Sequence, residues 1–487
     1  MLGYPSPTVV NYGKKFDETG WDKETHTGNI RGVFQFLNDE SNVKDDDLVL
    51  IVDGYDVWFQ LPPEVMIRRY HAMVVEANQR LRRRYGIVTG GKPGDGTSDR
   101  AQKYTQSVIF GADKICWPNQ AKDPACAAVP YSTLPKDVYG LGTDKDSAAF
   151  SNRPRYLNSG NVIGPAADVR AIYRYAAEKV DEKARGLMND QSVLAEIFGE
   201  QEYQRESIRR ASQGTQDRFY DWFSNKLGYP DSPLSANITI NNMTTVDGQR
   251  YEYSIGLDYE SNLFQTMTHS AADIEFITYN STPYLSSIQA AHPSLHGLPF
   301  FLPPDLQTAK SPFSYVSPSY NHTSDADVKH EKSILLPYSE NLDHLPGQSD
   351  DPTDLEPSWR TIPLATNVYA ASVPTILHVN GDESLLESWW PNLWFHPYAR
   401  ALLRRYVRSS QTHAAAAAAA KGGQTWWDTR GGRGGVWTDN RNWMQWGEVC
   451  KGTEEMVFGD GKGVWGKEEG EVRMVNSFGK VIIGDDE

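Results

Sequence analysis

A chain of 487 residues can bury a large core and, at roughly 150 residues per domain, suggests two or three domains. Its 63 acidic side chains outnumber 48 basic ones, and the net charge of −15 argues against nucleic acid or an anionic membrane as partner, since phosphate-rich surfaces need clustered cations. No stretch reaches the roughly 18 apolar residues of a membrane span, and no signal peptide is visible.

Helical periodicity starts at about 29–38. The next segment, Leu48-Val49-Leu50-Ile51-Val52-Asp53-Gly54-Tyr55-Asp56, is the most informative in the chain. A run of Leu, Val and Ile predicts a fully buried strand, 48–53, in a mostly parallel sheet. Ligands of open α/β sheets sit at the carboxyl ends of such strands. Two acids at that end, Asp53 and Asp56, are costly unless something positive pairs with them, and a divalent cation is the simplest partner. A strand-ending turn, with Asp53 bonded to nearby amides, is the plainer alternative. Phosphohydrolases with a strand-borne aspartate nucleophile also begin this way, but they usually carry the second acid at a closer spacing.

A helix over 64–84 follows, with Met66, Tyr70, Met73, Val74, Ala77 and Leu81 on one face. Arg80, Arg82, Arg83 and Arg84 form the one basic cluster, and a helix C-terminus accounts for it. Beyond a strand at 107–110, Cys116 and Cys126 are close enough for a small disulfide loop, though spacing alone leaves the pairing open. Cys450 is the third cysteine, and two cysteines without a nearby histidine make a poor zinc site. Asn158-Ser159-Gly160 reads as a turn leading into a short strand, 161–164, and a helix follows at 166–180. Asn189-Asp190-Gln191 precedes an apolar helical pattern over 190–199, with Asp190 where an N-cap belongs.

Polar stretches at about 200–250 and 290–360 read as surface insertions. Further strands are predicted at 253–257, 274–278 and 374–378, the last ending in His378-Val379-Asn380-Gly381. Alternating strands and helices argue for an α/β sandwich. Sequons at Asn237, Asn242, Asn280 and Asn321 lie in turn-rich stretches and support a secretory location weakly. The organisation expected is a main domain over 1–410, an Ala/Gly linker over 411–423 and a Trp/Gly-rich β appendage over 424–487. The appendage tryptophans either stack on sugar rings or, as the more ordinary reading, pack against the main domain.

The order acid pair, Asn-Ser-Gly, Asp-Gln and His-x-Asn-Gly resembles the metal-dependent nucleotide-sugar transferases of the GT-A fold. More narrowly, it is similar to the glycosyltransferase domain of collagen lysyl hydroxylases and its fungal relatives. Cys116-Trp117-Pro118 and the stretch from Gly256-Leu257-Asp258 to Phe264-Gln265-Thr266 share the likeness, which spans about residues 1–400. The resemblance implies a GT-A-type, Rossmann-like mixed sheet flanked by helices, and transfer of a hexose from UDP-glucose or UDP-galactose to an acceptor. That acceptor is a glycan, a protein or a small molecule. It implies Asp53, Asp56 and His378 as ligands of Mn²⁺ or another divalent cation. Tyr55 is implied to stack on the uracil and Arg31 to face the diphosphate. Asn158, Ser159 and Gly160 are implied to line the donor sugar pocket, and Asp190 and Gln191 to serve catalysis. It also implies an earlier strand, so the start at Met1-Leu2-Gly3-Tyr4-Pro5 is expected to fall inside the family pattern, and a location in the ER or Golgi lumen.

Residue by residue, plainer roles stay open. His378 can be a structural histidine at a strand end, Tyr55 a half-buried tyrosine closing the strand, Arg31 a surface arginine near a helix start, and Asp190 only a cap. Asn189 stands where relatives carry a further acid. His26 is the next histidine of interest. A silent glycan-binding or scaffold protein of the same fold is the alternative to an enzyme.

Overall fold

The computed structural model describes residues 2–14, 23–90, 99–182, 189–227, 232, 234, 240, 248–292, 300–310, 312, 357–408, 434–461, 463, 465, 474–475 and 481–483. In chain order the strands are β1 (Thr8–Val9), β2 (Leu48–Val52), β3 (Val57–Phe59), β4 (Ile87–Gly90), β5 (Asp99–Gln102), β6 (Val108–Asp113), β7 (Tyr156–Pro165), β8 (Ile255–Leu257), β9 (Phe264–Thr266), β10 (Ile274–Ile277), β11 (Leu364–Asn367), β12 (Ile376–His378), β13 (Gly435–Thr438), β14 (Trp443–Gln445), β15 (Met474–Val475) and β16 (Val481–Ile483). The helices that matter below are α1 (Lys23–Asn38), α2 (Pro63–Tyr85), α3 (Pro124–Ala127), α4 (Ala166–Glu182), α5 (Asp190–Ser212) and α6 (Thr215–Lys226). The chain is mixed α/β, with several small sheets. The chain divides into two compact units: residues 13–57 with 69–271, and residues 1–12 with 58–68 and 272–487.

The first unit is built on a four-stranded sheet of order β2-β7-β6-β8. β7 runs antiparallel to both β2 and β6, and only β6 and β8 are parallel. The expectation of a fully buried β2 in a mostly parallel sheet is therefore corrected. β2 pairs with β7 alone among the described strands, and each of its five residues is only half-buried. A Val/Ile/Leu run fits an edge strand with one wet side as well as a central one. β6 and β8 are the strands of this sheet buried at every residue. Ile30 and Leu37 of α1, Val169 and Ile172 of α4, and Val193 and Phe198 of α5 pack with Phe110 and Val162 of the sheet into one core. α5 and α3 approach so closely that a Cβ on Gly199 would lie 2.2 Å from the Pro124 carbonyl carbon, which explains a glycine inside a helix. Cys116 and Cys126 are joined as a disulfide, and the Trp117–Pro118 bond is cis.

In the second unit β10 and β11 form an antiparallel pair, and β3 lies beside β12. Gln60 is the buried pin of this region. Its side chain donates to the Ala365 and Pro374 carbonyls at 3.0 and 2.9 Å and accepts from the Ala365 amide at 2.6 Å. Its own carbonyl accepts from the Trp394 indole at 2.9 Å. Such complete pairing offsets the cost of burying an amide. β1 pairs in parallel with β13, which pairs with β14. Trp465, fully buried, packs with Ala399, Leu403 and Phe458. Trp465 thus follows the packing alternative. Trp426 and Trp427 lie outside the described residues.

Candidate metal site

β2 ends at Val52, but its pairing with β7 continues one step, with the Asp53 amide donating to the Gly160 carbonyl at 2.9 Å. That bond carries Asp53 clear of the strand and starts the tight segment 53–56 before β3. At the other end of β3, the Gln60 amide donates to the Thr375 carbonyl at 2.8 Å, just ahead of β12. Neighbouring strands tied at that end run in opposite directions, so the start of β3, directly after Asp56, falls beside His378 at the end of β12. One ligand atom from each of Asp53, Asp56 and His378 lies within 4.8 Å of the others. Asp53 is exposed, Asp56 half-buried and His378 buried. Two carboxylates and one imidazole are metal-ligating groups, and these three residues could hold a divalent cation.

Asn158-Ser159-Gly160 does not form a turn before a short strand; it lies inside β7. Phe110 of β6 stands opposite Val162, and the next residue, Gly111, stands opposite Asn158. Ser159, Gly160 and Asn161 therefore bulge away from β6 while β2 still holds Asn161 and Gly160 on the other side. Gln191 fixes the bulge from α5. Its side-chain oxygen accepts from the Ser159 amide at 2.7 Å, and its side-chain nitrogen donates to the Leu157 carbonyl. Both ends of the Gln191 amide thus engage main chain, an arrangement that positions β7.

Asp190 is the first residue of α5, and Asn189 is its N-cap. Asn189 accepts from the Ser192 amide at 2.8 Å, and the Ser192 hydroxyl accepts from the Asn189 amide at 3.1 Å. The expected cap role of Asp190 is thereby corrected: Asn189 does the capping. The Asp190 carboxylate accepts from the Asn29 side chain of α1 at 3.5 Å. Burial pushes the Tyr173 hydroxyl well above its ordinary value, with Asp190 and Asp53 adding to the push. Both carboxylates therefore act on one buried phenol.

Tyr55 is 87% exposed, so it is not the half-buried strand closure that its sequence position allowed. Arg31 sits in the middle of α1 rather than near its start, because the helix begins at Lys23. It forms an ion pair of 2.6 Å with Asp181 of α4. Side chains of residues 23–27, His26 among them, are not described. Sequence reading missed Asp113, the buried acid at the end of β6, whose carboxylate accepts from the Asn158 side chain at 3.0 Å. Its only signal was an acid directly after an apolar strand.

No family model matches the chain, and no curated protein matches it either. Among the described residues, no helix is long and apolar enough to cross a membrane.

Proposed function

We propose that this chain is a metal-dependent glycosyltransferase of GT-A type that moves a hexose from a UDP-sugar, UDP-glucose or UDP-galactose, to an acceptor. The observation that carries the reading is the convergence of Asp53, Asp56 and His378 at the carboxyl end of a sheet strand. When bound there, a divalent cation supplies Lewis-acid neutralisation of the departing diphosphate. The residues of the chain do the rest. Asp53 and Asp56 offer hard oxygen ligands, and His378 contributes a nitrogen held on a buried strand. Ser159 and Gly160, on a bulge fixed by Gln191, contact the donor sugar, with Asn158 behind them. Asp190 acts as base or stabilises positive charge developing on the sugar ring. Tyr55, exposed beside the acids, stacks on the base. Arg31 reaches the diphosphate only by leaving Asp181.

The reading carries a secretory location with it. The Cys116–Cys126 disulfide and the exposed sequon at Asn280 support that location, since disulfides persist in oxidising compartments. A silent glycan-binding scaffold draws less support, because Trp465 is spent on packing. The test is release of UDP from several UDP-sugars with Mn²⁺, by the wild type and by Asp56→Ala. Metal-dependent release by the wild type and loss in the variant are expected. Equal release by both rejects the metal site, and glycan binding indifferent to metal favours the scaffold.

A further inference from the structure

A chain of hydrogen bonds runs from Asp113 to Asp53. The Asn158 side-chain nitrogen donates to the Asp113 carboxylate at 3.0 Å. The Asn158 side-chain oxygen accepts from the Gly160 amide at 3.1 Å. The Gly160 carbonyl accepts from the Asp53 amide at 2.9 Å. Asp113 and Asn158 are 8% and 5% exposed, so the two bonds made by the Asn158 side chain lie away from competing water.

An asparagine amide has two faces of similar shape and opposite hydrogen-bonding sense. A carboxylate only accepts. Asp113 therefore compels Asn158 to present its nitrogen on one side and its oxygen to the Gly160 amide on the other. With the amide reversed, a donor would meet the Gly160 N–H. The bulge would then lose its internal bond at the residue that grips Asp53.

We propose that Asp113 is a positioning residue: through Asn158 and Gly160 it fixes the main chain of Asp53. Its catalytic consequence rests on the reading of Asp53 as a metal ligand, whereas its structural content does not. Partners one shell behind a ligand typically change metal affinity by about 10- to 100-fold. Asp113→Asn lets the paired amides reverse. The double variant Asp113→Asn with Asn158→Asp exchanges donor and acceptor and rebuilds the same chain, because an aspartate at 158 accepts from both neighbours.

The experiment is hydrogen exchange read by mass spectrometry without metal, on peptides covering 50–56 and 157–162, alongside direct titration with Mn²⁺ alone. Asp113→Asn is expected to speed exchange in both peptides and to weaken Mn²⁺ binding by about tenfold, with the double variant near wild type in both. Unchanged exchange in Asp113→Asn overturns the proposal, as does faster exchange with Mn²⁺ affinity intact. A wild type that binds no Mn²⁺ rejects the metal reading of the site, and exchange alone then decides the relay. Should Asp113→Asn fail to fold, a double variant with wild-type exchange supports the relay, and one with fast exchange overturns it.

Discussion

The two halves of α5 use polar residues in opposite ways. In the first turn, Asn189, Asp190 and Gln191 engage a helix end, a neighbouring helix and a strand bulge. Further along, acids are matched internally. Arg205 reaches Glu202 at 2.7 Å and Glu252 at 2.5 Å. Glu206 is shared by Arg84, Arg209 and Arg210. Burial pushes Glu202 above its ordinary range and Arg205 pulls it back, whereas Arg209 and Arg84 bring Glu206 net below its range despite burial. Charge in the second half is thus closed on itself and serves the fold. Around the first turn, polar groups hold backbone in place.

Separating the two kinds of region is the way to test the difference. The largest effect is expected from Asp56→Ala, which should lower metal-dependent UDP release by at least about 100-fold and leave thermal unfolding in chelator unchanged. Arg205→Met should do the reverse. It strands Glu202 in the interior and should cost about 3–5 kcal/mol in urea unfolding, with turnover per folded molecule intact. Loss of Mn²⁺ affinity in Arg205→Met would show that the two halves are not separate.

Asp258, in the turn between β8 and β9, gives a third and smaller signal. Full burial pushes it up to about 6, against backbone amides of Asn262, Leu263 and Phe264 that favour its charged form. Its folded value lies above the ordinary 3.8, so its contribution is complete below about pH 4 and is lost as pH rises through 6. A gap of about two units corresponds to about 3 kcal/mol at most at neutral pH. Urea unfolding across pH 4 to 7 should show this fall in the wild type and a flatter profile in Asp258→Asn. The smallest effect belongs to Asn189→Ala, worth about 1 kcal/mol of stability as a lost cap. A much larger loss of turnover than of stability there would assign the first turn of α5 a direct part in the site.

Several elements were legible because their signals are local. The apolar run before Asp53 marks β2, the periodicity over 64–84 marks α2, and Ile376-Leu377-His378 marks the end of β12. The three residues read as metal ligands stand together. Other features left no local mark. Nothing in Leu48–Val52 distinguishes an edge strand from a central one. The polar Asn158-Ser159-Gly160 looked like a turn because a bulge is defined by the partner strand, here by Gly111 skipping from Val162 to Asn158. Nor does the sequence show that the Gln191 side chain bonds main chain at residues 157 and 159, more than 30 positions away.

By itself, the sequence determined several strands and helices and the residue types at their ends, because periodicity, apolar runs and caps act over a few neighbouring residues; the stretch read as a surface insertion from about 200 instead continues α5 to Ser212 and then forms α6. The tertiary structure decided strand direction, the edge position of β2, the bulge in β7 and the company kept by Asp53, Asp56 and His378. These depend on hydrogen bonds between segments hundreds of residues apart in some cases, and such bonds form only when the folded core brings the backbones together.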